Sequence, residues 1–197
     1  MEINAQSKPI EIFESWMKEA KATSGIKEAT AMALATLGPN SELHNRVVLC
    51  KDWSETGFTF FTNYESRKGL DLAAHSVAAA VFYWDPLFRQ IKISGTVEKT
   101  PRKVSEDYWR TRPRESQLSQ LVSQQSREVS SRDALEQAWE TAEKEYSGRE
   151  IPCPLNWGGY LIVPKLIEFW VGRPGRLHDR YQFEKTVSTW TFRRLYP

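Results

Sequence analysis

Short stretches rich in Val, Ile, Ala and aromatic residues recur along this chain without regular alternation of strand and helix, and that pattern constrains its fold most. Ala31 to Leu37 is an apolar run ended by the turn cluster Gly38-Pro39-Asn40-Ser41. His44 to Lys51 and Gly57 to Thr62 read as two strands of a hairpin joined by Asp52 to Thr56. Ser76 to Trp84 and Phe88 to Lys99 read as two more, parted at Asp85-Pro86, the second alternating through Ile91, Ile93 and Val97. Trp157 to Pro164, Ile167 to Val171, the 178–183 segment and Ser188 to Leu195 complete the strands. Helices are expected at Pro9 to Lys21, with Ile12, Phe13, Trp16, Met17 and Ala20 on one stripe, and at Ser66 to His75. Pro101 to Arg110 and Pro113 to Ser123 each open with a proline, where its missing N–H costs nothing, and Asp133 to Tyr146 is a polar helix. Six to eight short strands with helices inserted late argue against a doubly wound sheet. They favour a mainly β fold, an antiparallel barrel with peripheral α-helices.

A chain of 197 residues suits a single domain and can bury a real core. The net charge of +2 gives no global nucleic-acid signature, so cationic function must come from local clusters. Cys50 and Cys153 lack CxxC or His-rich surroundings, which suggests neither a disulfide framework nor a zinc site and makes a reducing cytoplasm the expected location. No apolar run approaches the ~20 residues of a membrane span. The first ten residues lack the charged-then-apolar design of a signal peptide. GxGxxG and GxxxxGK[ST] are absent, so a nucleotide would not be held in a Rossmann or P-loop manner.

Anion-binding groups recur at separated positions. Ser66 reads as an N-cap, leaving unpaired N–H groups at the positive end of a helix, and Arg67 and Lys68 add formal charge. That is a phosphate site or, more plainly, a capped surface helix with two solvated bases. Tyr108, Arg112 and Ser116 are spaced by four, but Pro113 disfavours a helical Arg112. We read a junction in which Tyr108 ends one helix, Arg112 caps the next and Ser116 lies in its first turns. Arg110, Arg112 and Arg114 also fit a short nucleic-acid patch.

Arg46 and Lys51 bracket Val47-Val48-Leu49-Cys50, and on a regular strand their odd separation points them to opposite faces unless a bulge intervenes. Ser123-Gln124-Gln125-Ser126 offers amides and hydroxyls, or is a loop; Trp170 suits the core or the edge of a planar ring. Pro174-Gly175 signals a turn, and a strand beginning there puts Arg176, His178 and Arg180 on one face. Three such side chains repel unless something anionic or electron-rich lies against them. No Ser-His-Asp order or metal-ligand spacing occurs, and no metal is expected.

Taken in order, these segments resemble the pyridoxine (pyridoxamine) 5′-phosphate oxidase family, from about Ile12 to Pro197. The resemblance runs through Arg46 to Lys51, Phe61-Thr62-Asn63 with Ser66-Arg67-Lys68, Arg89-Gln90, Tyr108 with Ser116-Gln117 around Arg112-Pro113, and Ser123 to Ser126. It continues through Trp157-Gly158-Gly159, Glu168-Phe169-Trp170, Arg176 to Arg180 and the closing Arg194-Leu195-Tyr196-Pro197. It implies an FMN-binding split β-barrel, a homodimer with two FMN sites at the subunit interface. The activity implied is oxidation of pyridoxine or pyridoxamine 5′-phosphate to pyridoxal 5′-phosphate, with O₂ as acceptor and hydrogen peroxide released.

By matching position, the resemblance assigns Arg46, Arg67, Lys68, Gln125 and Ser126 to the FMN phosphate and ribityl chain. Thr62, Gln90, Trp170 and Arg180 fall around the isoalloxazine ring, with Val47, Val48, Leu49, Lys51 and Phe61 also among the cofactor contacts. Lys51, Tyr108, Arg112 and Ser116 match a clamp on the substrate's phosphate, and Arg176 and His178 match the residues over its pyridine ring. Arg110-Thr111 replace the usual His-Ser, Cys50 replaces an aliphatic residue, and Leu118-Ser119 replace an Ile-Gly pair. A related oxidase acting on a bulkier phenazine-type ring is the runner-up. A flavin- or pyridoxal-phosphate-binding module without turnover and a basic nucleic-acid binder are the rivals from other classes.

Overall fold

One long strand organises the molecule. In the computed structural model, which describes residues 2–187 and 189–197, Trp157–Val171 (β7) runs unbroken for 15 residues. Along one edge it pairs with Arg89–Lys99 (β6). Along the other, residues 157–162 pair with Gly57–Asn63 (β4), and residues 166–171 pair with Asp179–Lys185 (β8). The sheet therefore divides at the middle of β7. The expected break between Pro164 and Ile167 is instead a β-bulge: Ser94 faces Leu166 and Gly95 faces Pro164, leaving Lys165 as the extra residue. Gly95 is required there, because a Cβ would meet the Val163 carbonyl oxygen at 2.0 Å.

The remaining strands are Ala31–Leu37 (β1), Leu43–Leu49 (β2), Asp52–Ser54 (β3), Val77–Trp84 (β5) and Trp190–Leu195 (β9). All pairs are antiparallel, in the order β2-β1-β5-β6-β7-β4-β3, with β8 on β7 and β9 on β8. This curled, mainly β sheet matches the expected fold class.

The hairpin expected between 44–51 and 57–62 is not formed. The turn cluster at Gly38–Ser41 closes β1 onto β2 instead, with Gly38 N–H donating to the Glu42 carbonyl at 2.8 Å, and β4 pairs with the short β3. The last strand begins at Trp190, and Ser188, where it was expected to start, lies outside the described residues. Nor does a strand begin at Pro174. A short turn spans Pro174–Arg176, with positive φ at Gly175 and Arg176, so Arg176 and His178 sit in a loop before β8.

Five α-helices lie outside the sheet among the described residues: Pro9–Ala22 (α1), Arg67–Ala74 (α2), Arg102–Thr111 (α3), Arg114–Val122 (α4) and Arg132–Glu145 (α5). The apolar stripe of α1 fills the main core, where the Phe13 ring makes edge contacts with Trp53, Phe58 and Phe82 at 4.8–5.3 Å. A second, smaller core under α3–α5 gathers Trp109, Leu118, Ala142, Ile151 and Trp157, and the Trp109 indole donates to the Ile151 carbonyl at 2.8 Å. Arg102 ties this layer to β7 through the carbonyls of Cys153, Pro154 and Trp157 at 2.6–3.1 Å. Helix α3, which leads to the α3–α4 junction, is thereby tied to one end of β7.

Candidate functional site

Between β2, β4, α2 and the α3–α4 junction lies a cleft of about 570 Å³. Five cationic side chains line it, from Arg46, Lys51, Arg67, Lys68 and Arg112, and no carboxylate does. Arg46 and Lys51 share it despite their odd spacing. β2 ends at Leu49, and the chain then steps across, with Cys50 N–H bonded to the Thr30 carbonyl and Lys51 N–H to that of Thr59. Val47, Val48 and Leu49 line the cleft between them.

The N-terminus of α2 is built as the sequence predicts. Ser66 caps it by accepting from Gly69 N–H, and Ser66 and Thr62 both accept from the Lys68 ammonium at 3.0–3.1 Å. The Arg67 N–H donates to the Ser126 hydroxyl at 3.2 Å, and the Thr62 hydroxyl donates to Gln125 Oε1 at 3.2 Å. Ser126 has a φ of 73°, a left-handed conformation uncommon outside glycine, which brings the 123–126 loop against the helix end. The polar run that reads equally as a loop is thus part of the cleft.

Burial pushes the Lys68 ammonium down to about 8, and the neighbouring Arg46 charge adds to this. Arg46 is lowered by the same desolvation. The acid beside them is Asp71, one turn into α2 and fully buried, which accepts from the Thr36 hydroxyl at 2.6 Å and lies 3.0 Å from His44 Nδ1 and 3.5 Å from Arg46 Nη2. One buried carboxylate beside the buried Lys68 and the half-buried Arg46 leaves the cluster short of negative charge. These donors at a helix N-terminus have the chemistry to hold an anion such as a phosphate.

The fifth cation, Arg112, belongs to the α3–α4 junction. Tyr108 stacks on Phe61 with centroids 4.0 Å apart, and the Arg112 guanidinium lies over Trp157 at 4.8 Å and Trp109 at 5.1 Å. Arg112 is the extended C-cap of α3, and Pro113 rather than Arg112 takes the N-cap position of α4. Desolvation lowers Arg112, and its Nη1 is buried without a hydrogen-bond partner. Ser116 lies in an adjoining groove that shares Arg112 with the cleft.

Gln90, Trp170 and Arg180, expected around one ring, do fall together: they are in register across β6, β7 and β8. They do not line the cleft, and neither do Arg176 and His178. His178 packs on Trp170, with ring centroids 4.6 Å apart, and its Nδ1 accepts from Arg173 N–H at 3.1 Å. Arg180 is held by both oxygens of Glu168 at 2.9 and 3.0 Å and donates to the Tyr196 carbonyl. Burial alone would raise Glu168, but the hydrogen bonds from Arg180 and Lys92 outweigh it and hold the carboxyl below its usual value. Asp179 likewise pairs with Arg173 and Arg194, fixing the base of the loop that carries Arg176.

Sequence reasoning missed Asp71, His44, Thr36 and Gln120. His44 was findable, since it stands two residues before Arg46 on the same strand face. Asp71, four residues after Arg67, reads naturally as a surface helix pair, and only the fold shows that it turns inward to Arg46.

Residues 18–145 match a family profile described as pyridoxamine 5′-phosphate oxidase, and residues 157–197 match the pyridoxine 5′-phosphate oxidase C-terminal dimerisation region. A pyridoxine/pyridoxamine 5′-phosphate oxidase of Leptospira biflexa is 47% identical over 96% of this chain and 89% of its own. One of Microcystis aeruginosa is 44% identical over 100% and 92%. Among solved structures, PhzG from Burkholderia lata, in complex with tetrahydrophenazine-1-carboxylic acid, superposes with a TM-score of 0.91 at 29% identity, covering 97% of this chain and 93% of that one. A pyridoxamine 5′-phosphate oxidase-related, FMN-binding protein from Nostoc punctiforme shares the fold at a TM-score of 0.77 and 16% identity, over 98% of this chain and 100% of that one.

Proposed function

The chain belongs to the pyridoxamine 5′-phosphate oxidase family, and from that premise we propose that it oxidises pyridoxine or pyridoxamine 5′-phosphate to pyridoxal 5′-phosphate with FMN. One observation carries this reading: cations from separate elements, Arg67 and Lys68 at the α2 N-terminus, Arg46 and Lys51 on and just after β2, and Arg112 at the α3–α4 junction, face one cleft that no carboxylate lines among the described residues. Two phosphates in one cleft are what a phosphorylated flavin and a phosphorylated substrate bring. FMN, when bound, supplies the hydride acceptor, which O₂ reoxidises with release of hydrogen peroxide.

The chain's own groups bind and orient. Arg46, Arg67, Lys68, Gln125 and Ser126 would hold the FMN phosphate and ribityl chain, with Thr62, Phe61 and the Val47–Leu49 backbone beside the ring. Lys51, Tyr108, Arg112 and Ser116 would hold the substrate's phosphate. The Gln90-Trp170-Arg180 row, with Arg176 and His178, completes the site from a second copy of the chain, because these residues lie outside the cleft of their own copy. The family match over 157–197, which includes Trp170 to Arg180, supports a homodimer. Within it, Arg176 and His178 position the substrate carbon that is oxidised; orientation of this kind acts on the chemical step.

Anaerobic mixing of the FMN-loaded protein with pyridoxamine 5′-phosphate tests the reading: the yellow flavin band bleaches. A purified protein that cannot take up FMN, or whose flavin stays oxidised, overturns it. The superposition on PhzG favours one second reading, oxidation of a bulkier reduced ring bearing a carboxylate. Bleaching by a reduced phenazine carboxylate, and not by the phosphate ester, would select it.

A further inference from the structure

Three buried side-chain polar atoms lack a hydrogen-bond partner among the described residues: Asp71 Oδ1, Arg112 Nη1 and Gln120 Nε2. Two of the three, Arg112 Nη1 and Gln120 Nε2, are donors on the same cleft wall. A buried amide left unpaired is costly, and native folds retain few. Helix α4 explains the placement. Ser116 and Gln120 are four residues apart within it, hence one turn apart on one face, and Arg112 immediately precedes the Pro113 cap. Of the α4 side chains, Gln120 lines the cleft itself, whereas Ser116 lines only the adjoining groove. Trp109, Leu118 and Ile151 pack beneath the junction and fix this wall.

We propose that Gln120 is a substrate-binding residue, its amide donating beside Arg112 to the phosphate of the phosphorylated substrate and so setting preference for the phosphate ester over the free alcohol or amine. The proposal rests on the reading that the cleft takes such a substrate. A neutral amide suits this place: it adds a donor without adding a sixth positive charge to a cleft already short of negative charge. The proposed reading brings two phosphates to the cleft, and Gln120 also lines the adjoining groove with Arg112 and Ser116, where neither Arg67 nor Lys68 lies. That assigns it to substrate and not to FMN.

The test uses the FMN-loaded protein and its Gln120→Ala and Gln120→Glu variants, with Gln120→Asn as a milder control. Removing a donor to a charged phosphate should raise KM for pyridoxamine 5′-phosphate by ~5–10-fold in Gln120→Ala with kcat little changed. Gln120→Glu, which sets a like charge against the phosphate, should raise it further. Unphosphorylated pyridoxamine should be oxidised equally well by wild type and Gln120→Ala, and FMN affinity should not move. A readout independent of turnover is the affinity for pyridoxal 5′-phosphate and for inorganic phosphate, which should weaken in parallel. Unchanged KM and phosphate affinity in Gln120→Ala and Gln120→Glu overturn the proposal, as does a loss of FMN affinity in place of substrate affinity. If wild type does not oxidise the phosphate ester, the functional reading fails, and the inorganic phosphate titration still decides whether Gln120 is an anion donor.

Discussion

The cleft and the β6–β8 row carry similar residues in different settings, desolvated in one and held in ion pairs in the other. In the cleft, Arg46, Lys68 and Arg112 are desolvated and short of counter-charge, with Asp71 alone behind the first two. In the row the cations are already in ion pairs: Glu168 holds Arg180 and Lys92, and Asp179 holds Arg173 and Arg194. A region short of negative charge draws its stabilisation from a ligand, so damage there should appear in affinity. A region whose ion pairs are already made fixes the base of the loop that carries Arg176 before anything binds, so damage there should appear in rate.

The largest effect separates the two regions at once. Arg176→Ala should slow anaerobic flavin reduction at saturating substrate by ~10²-fold, because misplacement of about an ångström costs that much, while FMN stays bound. His178→Asn, which keeps a hydrogen-bonding side chain on Trp170, should retain most of the rate; its abolition, with loss of an ionisation from the pH–rate profile, would make the histidine a proton acceptor instead. Arg112→Ala should do the reverse, raising KM by ~10-fold or more, about 1.4 kcal/mol per factor of ten, with the flavin retained. An unchanged KM would remove Arg112 from the substrate clamp.

Lys68 sharpens the comparison through pH. The ammonium of the ligand-free protein is pushed down to about 8, and phosphate binds its protonated form. Affinity for FMN should therefore be level between that value and the second phosphate ionisation at about 6, and fall as pH rises through the lysine's value, with proton uptake on binding in the upper range. Lys68→Ala should weaken FMN and flatten this dependence; an identical profile in the variant would assign the titration elsewhere. The smallest effect is Tyr108→Phe, which keeps the stack on Phe61 and removes one hydroxyl donor: a severalfold rise in KM, worth about 1 kcal/mol, with kcat unmoved.

Much of this was legible in the sequence, and the reasons differ by residue. The capped α2 N-terminus and the stripe on α1 are local, set by spacing within one element. Strand partners are not local: β2 chose β1 because the Gly38–Ser41 turn reverses the chain there, although 44–51 and 57–62 look equally matched by composition. The strand period carried Arg176 and His178 onto one face with Arg180 only by assuming a strand at Pro174, where positive φ at Gly175 and Arg176 makes a turn. Asp71 and Gln120 escaped notice because an acid and an amide on a helix look solvated until the fold shows what they face.

The central claim is that one working site takes its cleft from one copy and its row from another. Mixing unfolded Arg112→Ala and Arg176→Ala chains and refolding them together tests it directly. Random pairing gives half heterodimers, each with one site made of an intact cleft and an intact row, so activity at low substrate should return to about a quarter of wild type. If cleft and row of the same chain form the site, no pairing restores an intact one, and the mixture stays at the mean of its parents, about a tenth of wild type or less.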